Sequence, residues 1–166
     1  MSVNDKTAAL QQYLTFSLAD EIFAVDVAQV REILDQIQIT RVPQMPEFML
    51  GVINLRGSVV PVVDLRRKFG MASVAANRDN CIVVMEVDFG GELTVVGALA
   101  DAVQEVLDLG ADQIEPPPRL GTKLKTEFIH GMGKKGEQFV ILLNIDKIFS
   151  SDELHVLHGS ANESAA

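Results

Sequence analysis

The residue types and spacings that could carry out chemistry are few. Residues 131–136, GMGKKG, match the G-x-G-x-x-G spacing of dinucleotide-binding loops. That fingerprint requires a strand before it and a helix after it, because the helix N-terminus holds the pyrophosphate. The apolar residues 138–143 predict a strand after this run instead. A nucleotide-dependent enzyme therefore remains an alternative only, and heat released on titration with nucleotide would support it.

Two histidines offer a second kind of chemistry. His155 and His158 are three residues apart on a predicted terminal helix over 150–158, so they could present two imidazoles to one metal ion. A structural zinc usually takes four ligands, and the sequence offers no evident third one. The sequence also contains no G-x-S-x-G, P-loop or H-E-x-x-H motif. We therefore predict no metal, no cofactor and no enzymatic activity.

The overall charge narrows the choice of partners. The 166 residues carry a formal net charge of −9, which disfavours both nucleic acid and direct contact with an anionic membrane surface.

The single cysteine, Cys81, opens an apolar run and is predicted to be a buried thiol, as expected in a reducing cytosol. The N-terminus has no apolar signal region, and no apolar run is long enough to span a membrane. The prediction is a cytoplasmic protein.

The sequence repeats itself. Residues 46–51 match 126–131, and residues 59–65 match 139–145, both at an offset of 80 residues. Upstream, residues 38–39 match 113–114 at an offset of 75. A repeat of this length predicts two similar subdomains. We place them at about 13–70 and 81–149 within one domain, 13–158. A linker over 71–80 joins them, strand exchange between them is left open, and 1–12 and 159–166 are predicted to be flexible tails.

Each half is predicted to contain a hairpin, a short helix and a closing hairpin. Asp26 is predicted to cap a helix through Leu34, with Gln29 reaching back in a capping box. Asp64 and Asn144 are each predicted to cap a one- or two-turn helix after a closing strand. The closing hairpins are predicted to turn at 56–58 and at 134–136. The first helix would carry its apolar residues on one face: Val27, Val30, Ile33 and Leu34.

Many short strands with little helix predict small barrels, because closing a sheet removes its exposed edges. A half of about 70 residues buries only a thin core on its own. We therefore predict that the two barrels share an apolar interface.

Residues 51–66, GVINLRGSVVPVVDLR, closely resemble the signature of the CheW family of bacterial chemotaxis coupling proteins, and the resemblance extends over about 13–158. It implies an all-β fold with short helices, made of two packed SH3-like five-stranded β-barrels. It also implies an adaptor that binds the cytoplasmic tips of methyl-accepting chemoreceptors and the regulatory domain of the histidine kinase CheA. Other CheW copies, arranged in rings, are further candidate partners. Such a protein would be recruited to membrane-anchored receptor clusters.

Two related functions stay open at this point. The first is a CheW-like scaffold in another receptor–kinase pathway, such as surface motility or gene regulation. The second is a CheV-type protein, which needs a phosphorylatable receiver domain that we do not expect in 166 residues.

The resemblance also assigns roles to residues. It implicates Val30, Gly51 and Arg56 in receptor contact, and we add Ile33 from the same predicted helix face. Glu32 is associated with complex formation. Asn54 and Gly57 are expected to shape the hairpin, since Asn and Gly favour tight turns. Without the resemblance, Arg56 could equally be a solvated turn charge.

Overall fold

The computed structural model describes residues 10–35, 38–71, 80–89, 91–117, 126–149 and 153, and within these ranges most residues lie in strands of two curled sheets. The strands are β1 (Gln11–Leu18), β2 (Glu21–Asp26), β3 (Val30–Asp35), β4 (Met49–Leu55), β5 (Ser58–Val63), β6 (Cys81–Phe89), β7 (Glu92–Ala100), β8 (Ala102–Leu109), β9 (Ile114–Glu115), β10 (Ile129–Lys135) and β11 (Gln138–Leu143). Two short helices, α1 (Leu65–Lys68) and α2 (Ile145–Ile148), follow the closing hairpins. None of the described helices has the length and apolar character to cross a membrane.

The two sheets exchange their first hairpins. Barrel 1 has the strand order β3-β6-β7-β5-β4, and barrel 2 has the order β8-β1-β2-β11-β10-β9. The hairpin β6–β7 from the second half therefore lies in barrel 1, and β1–β2 from the first half lies in barrel 2. Parallel pairs of β5 with β7 and of β11 with β2 join the strands of different halves. The boundaries at residues 70 and 81 consequently divide the sequence but not the sheets.

The barrels match the predicted class with one difference in strand number. Barrel 1 has five strands, and barrel 2 has six because the two-residue β9 pairs with β10. The counterpart of β9 in barrel 1 is an isolated bridge between Thr40 and Val52.

The predicted helix over 26–34 is wrong. Asp26 does cap a turn, since its Oδ1 accepts a hydrogen bond from Ala28 N at 2.9 Å, but this turn is a 3₁₀ helix that ends at Gln29. No capping box joins Asp26 and Gln29, and the Gln29 Nε2 donates to Asp146 Oδ1 at 2.9 Å. The chain then continues as strand β3 along β6. Its β-branched Val30 and Ile33 favour this extended conformation once a partner strand is available.

Some of the remaining local predictions are confirmed and others are wrong. Asp64 caps α1 by accepting from Arg66 N at 3.0 Å, whereas Asn144 precedes α2 without a side-chain cap. The second closing hairpin turns at 136–137 rather than at 134–136, and β1 already begins at Gln11. The glycine-rich run lies in β10 and is followed by a strand, as predicted. Residues 72–79 of the predicted linker 71–80 and the terminal segment with His155 and His158 lie outside the described residues.

The apolar core has three parts. Five described residues form the buried cluster inside each barrel, and 23 form a cluster shared between the barrels, which we call the shared core. Six phenylalanines belong to the described part of the shared core. Since each barrel interior is thin, the structure depends on the surface that the two barrels bury against each other. The six phenylalanines are Phe16, Phe23, Phe48, Phe69, Phe128 and Phe149.

Candidate functional site

The tip of the β4–β5 hairpin is a two-residue turn with an unusual side chain. Arg56 and Gly57 occupy its central positions with φ values of 52° and 86°. Positive φ at both positions is the combination of a type I′ turn, which matches the twist of a hairpin. Asn54 supports the turn, since its Oδ1 accepts a hydrogen bond from Gly57 N at 2.8 Å. Asn54 and Gly57 thus hold the backbone that presents Arg56.

Arg56 makes a bidentate ion pair with Glu32 of β3. The two guanidinium nitrogens lie 2.7 and 2.8 Å from the two carboxylate oxygens. Because β3 and β4 are the two edges of barrel 1, this pair spans the seam between them. The hydrogen bonds and charge of Arg56 hold the pKa of the Glu32 carboxyl below its usual value. The Arg56 side chain is still 75% exposed, so it remains accessible to a partner.

A shallow depression of about 570 Å³ lies beside this ion pair, at the mouth of barrel 1. Its walls combine charged groups with apolar side chains from the hairpin and from β7. Leu93 on its rim is 60% exposed. The lining residues are Arg31, Glu32, Leu55, Arg56, Ser58, Val59, Val60, Leu93, Thr94 and Val95.

Val30 and Ile33 lie on one face of β3 although the segment is not helical. A bulge between Val30 and Glu32 inserts one residue, so Val30 lies opposite Met85 and Ile33 opposite Val83. Directly opposed residues project to the same face of a sheet. Met85 and Val83 belong to the shared core, so Val30 and Ile33 lie on that face. Val30 packs against the core, and Ile33 is 42% exposed at its margin.

The edge strand of barrel 2 repeats this arrangement. Val103 and Val106 of β8 lie opposite Phe16 and Leu14 of the shared core, again across a bulge. Val103 packs against the core, and Val106 is 50% exposed. We call Val30, Ile33, Val103 and Val106 the two-strand surface. The two β8 residues were not among the predicted site residues, although residues 30–33 (VREI) and 103–106 (VQEV) share a pattern that could have indicated them.

Gly51 lies beneath the surface rather than on it. It is buried with a φ of 154°, and a Cβ there would lie 2.2 Å from the Thr40 carbonyl oxygen. Thr40 exchanges two hydrogen bonds of 2.8 Å with Val52, so the chain must approach β4 closely at this point. These contacts favour a positioning role for Gly51, and its direct contact with a receptor stays a prediction.

The described residues offer little for other chemistry. No group of three or more His, Cys, Asp or Glu side chains among them is placed to hold a metal ion. Cys81 is buried, and burial raises the pKa of its thiol. His130, at the start of β10, is exposed.

Comparisons with a family profile, with known sequences and with a solved structure all indicate the same protein family. The sequence profile of the CheW-like domain family matches residues 12–153. The chemotaxis protein CheW of Klebsiella aerogenes is 39% identical over 151 residues, which cover 91% of this chain and 89% of that protein. The corresponding protein of Thermotoga maritima is 31% identical and is covered to 95%. The crystal structure of the scaffolding protein TtCheW from Thermoanaerobacter tengcongensis is similar with a TM-score of 0.75 at 34% identity, over 86% of this chain and 90% of that one.

Proposed function

The chain belongs to the CheW-like domain family, and we propose from this premise that it couples methyl-accepting chemoreceptors to the regulatory domain of the kinase CheA without catalysing a reaction. Its role as a chemotaxis adaptor follows from the family and the similar scaffolding protein. A scaffold in a pathway other than chemotaxis is not favoured. Recruitment to membrane-anchored receptor clusters would then come through the receptor, with no contact between this protein and lipid.

The two-strand surface is the observation that carries the receptor part of the proposal. Two edge strands from different barrels each present a pair of valine or isoleucine side chains on the face of one shared core. Such a surface suits a helix, whose apolar residues recur at i, i+3, i+4 and i+7. Ile33 and Val106 are both exposed, so a partner that buries them would gain binding free energy from the apolar surface removed from water.

The Arg56–Glu32 pair supplies a polar rim for this surface. Arg56 is held in one orientation by Glu32, so less side-chain freedom is lost when it forms a further bond. An acidic group on the partner could share the guanidinium, which has five donors and uses two of them on Glu32. Glu32 would therefore act in complex formation by orienting Arg56.

The kinase part of the proposal rests on family membership. A regulatory domain that is itself CheW-like could pack against barrel surfaces of this chain in the way that two copies of the chain could pack in a ring. The described residues favour no single face for this contact.

The receptor surface can be tested by co-sedimentation with receptor-containing membranes. Arg56→Glu reverses the rim charge, and Val30→Trp places a large ring on the core face, so each should weaken binding by about tenfold or more. Val106→Trp should do the same if β8 contributes. Lys134→Glu is the matched control, since it makes the same charge change on the other closing hairpin, two residues before its turn.

The circular dichroism spectrum of each variant should stay that of a folded β protein. If Arg56→Glu, Val30→Trp and Val106→Trp all sediment like the wild type, the two-strand surface is not the receptor site. If only Val106→Trp binds normally, the receptor contacts barrel 1 alone.

A further inference from the structure

The Lys68 side chain lies among three phenylalanine rings at the junction of the two barrels. Its Nζ is 5.3 Å from the ring centroid of Phe48, 5.7 Å from that of Phe149 and 5.8 Å from that of Phe128. The same ammonium group lies 2.7 and 2.8 Å from the two carboxylate oxygens of Glu153. The side chain is only 14% exposed, so the charge is largely withdrawn from water.

This arrangement compensates the charge in two ways. Ring faces carry negative electrostatic potential and attract a cation placed over them within about 6 Å. The Glu153 carboxylate supplies a full opposite charge with two hydrogen bonds. A mostly buried ammonium that keeps both kinds of partner is held in position, because moving it would leave a charge without compensation.

The rings come from both halves of the repeat. Phe48 and Phe128 are counterparts at the offset of 80 residues, and each directly precedes a closing hairpin, one in barrel 1 and one in barrel 2. Phe149 follows α2, and its ring packs against Phe48 with centroids 5.6 Å apart. Lys68 is the asymmetric element, since its counterpart is the buried Ile148. One cation therefore contacts the entrances to the closing hairpins of both barrels.

From this geometry we infer that Lys68 is a positioning residue that fixes the orientation of barrel 1 relative to barrel 2. Hydrophobic contacts between the barrels are non-directional, whereas a cation over ring faces with a bidentate partner has a defined geometry. A consequence for receptor binding rests on the proposed function: β3 and β8 belong to different barrels, so the two-strand surface depends on their relative orientation.

The orientation can be measured between repeat counterparts. Ser58 on β5 and Gln138 on β11 are both exposed, and spin labels on cysteines introduced there, in a Cys81→Ala background, report the distance between the barrels. Lys68→Met removes the charge and keeps the length, so the distance distribution by pulsed electron paramagnetic resonance should become broader. Lys68→Arg keeps the charge and should retain the narrow distribution. Lys134→Met, which breaks the exposed pair with Glu115, is the control and should also stay narrow.

A Lys68→Met distribution as narrow as that of the wild type would overturn the inference, as would equal broadening in the Lys134→Met control. If Lys68→Met does not fold, Glu153→Gln provides the test, because it weakens the ion pair and keeps the rings. Co-sedimentation of the same variants separates the two proposals. Broadening with unchanged receptor binding would keep the role of Lys68 and contradict the two-strand surface.

Discussion

The two closing hairpins, β4–β5 and β10–β11, differ in the ion pair that links each of them to the edge strand of its barrel. In each barrel a glutamate on the edge strand pairs with a cation at the hairpin end, Glu32 with Arg56 and Glu105 with Lys135. Each pair links the edge strand that carries the glutamate to the closing hairpin across the seam of its barrel. In barrel 1, however, the cation is an arginine in the turn itself, held by two hydrogen bonds. Arginine offers a planar fork for a carboxylate, whereas lysine is a compact point charge.

The backbone conformation of the two turns is similar, but the residue that adopts it differs. The first central position of the turn has a φ of 52° in barrel 1 and 59° in barrel 2, but it is Arg56 in one and Gly136 in the other. A glycine adopts positive φ without steric cost, and an arginine does not. Local strain of this kind persists mainly where the side chain is needed. This difference supports the proposed contact between Arg56 and a partner at the end of barrel 1.

The largest expected effect is on the free energy of unfolding, and it tests whether the two barrels unfold as one unit. Phe69 and Phe149 are repeat counterparts in the shared core, so either one changed to alanine should cost about 4 kcal/mol of unfolding free energy. Because the core joins both barrels, each variant should unfold in one transition. Urea unfolding followed by circular dichroism and by the fluorescence of Tyr13, the single tyrosine, in barrel 2, checks this. Separate midpoints for the two probes would show two independent barrels.

Replacing the glycine at either bulge with alanine should lower the free energy of unfolding by a smaller amount, and the amount should differ between the two bulges. Gly51→Ala should cost about 3 kcal/mol, because its Cβ would meet the Thr40 carbonyl oxygen at 2.2 Å with a φ of 154°. Gly131→Ala should cost about 2 kcal/mol, because its Cβ would meet a methyl group of Ile114 at 2.6 Å and the Glu115 carbonyl oxygen at 2.9 Å, which is a milder clash with backbone than the one at Gly51. Urea unfolding of both variants gives the two values. Equal costs would mean that the close approach in barrel 1 is no tighter than in barrel 2.

The smallest effect concerns the protonation of Glu32. Its folded-state pKa lies below the ordinary 4.5, so the carboxylate contributes stability above about pH 4.5, and this contribution is lost as the pH falls through the folded value. A carbon-13 NMR titration should give a Glu32 midpoint below 4.5, and Arg56→Gln should raise it. Lys135→Gln, which breaks the other seam pair, should leave it unchanged. A Glu32 midpoint that does not respond to Arg56→Gln would mean that the bidentate pair is absent in solution.

Local patterns were sufficient to predict both closing hairpins and the turn of the first, but they misplaced the turn of the second, which lies at 136–137. Apolar runs at 51–55 and 59–63 predict β4–β5 with a turn at 56–58, and the structure places the tip of that turn at Arg56 and Gly57. The repeat at 80 residues likewise predicts a second copy and a shared interface. These features depend on neighbouring residues or on the comparison of two segments, and both can be read along the chain.

At β3 the local residue pattern predicts the wrong conformation, for a definable physical reason. A helix places residues i and i+3 on one face, and so does a strand with one bulge, so Val30 and Ile33 are compatible with both. Pairing with β6, some 50 residues away in sequence, settles the conformation. The exchange of first hairpins and the matching surface on β8 also depend on contacts between distant strands. The residue pattern thus accounts for the hairpins and the duplication. Long-range pairing accounts for which strands share a barrel and which apolar side chains reach the surface together, because burial depends on the partner strand and not on local sequence.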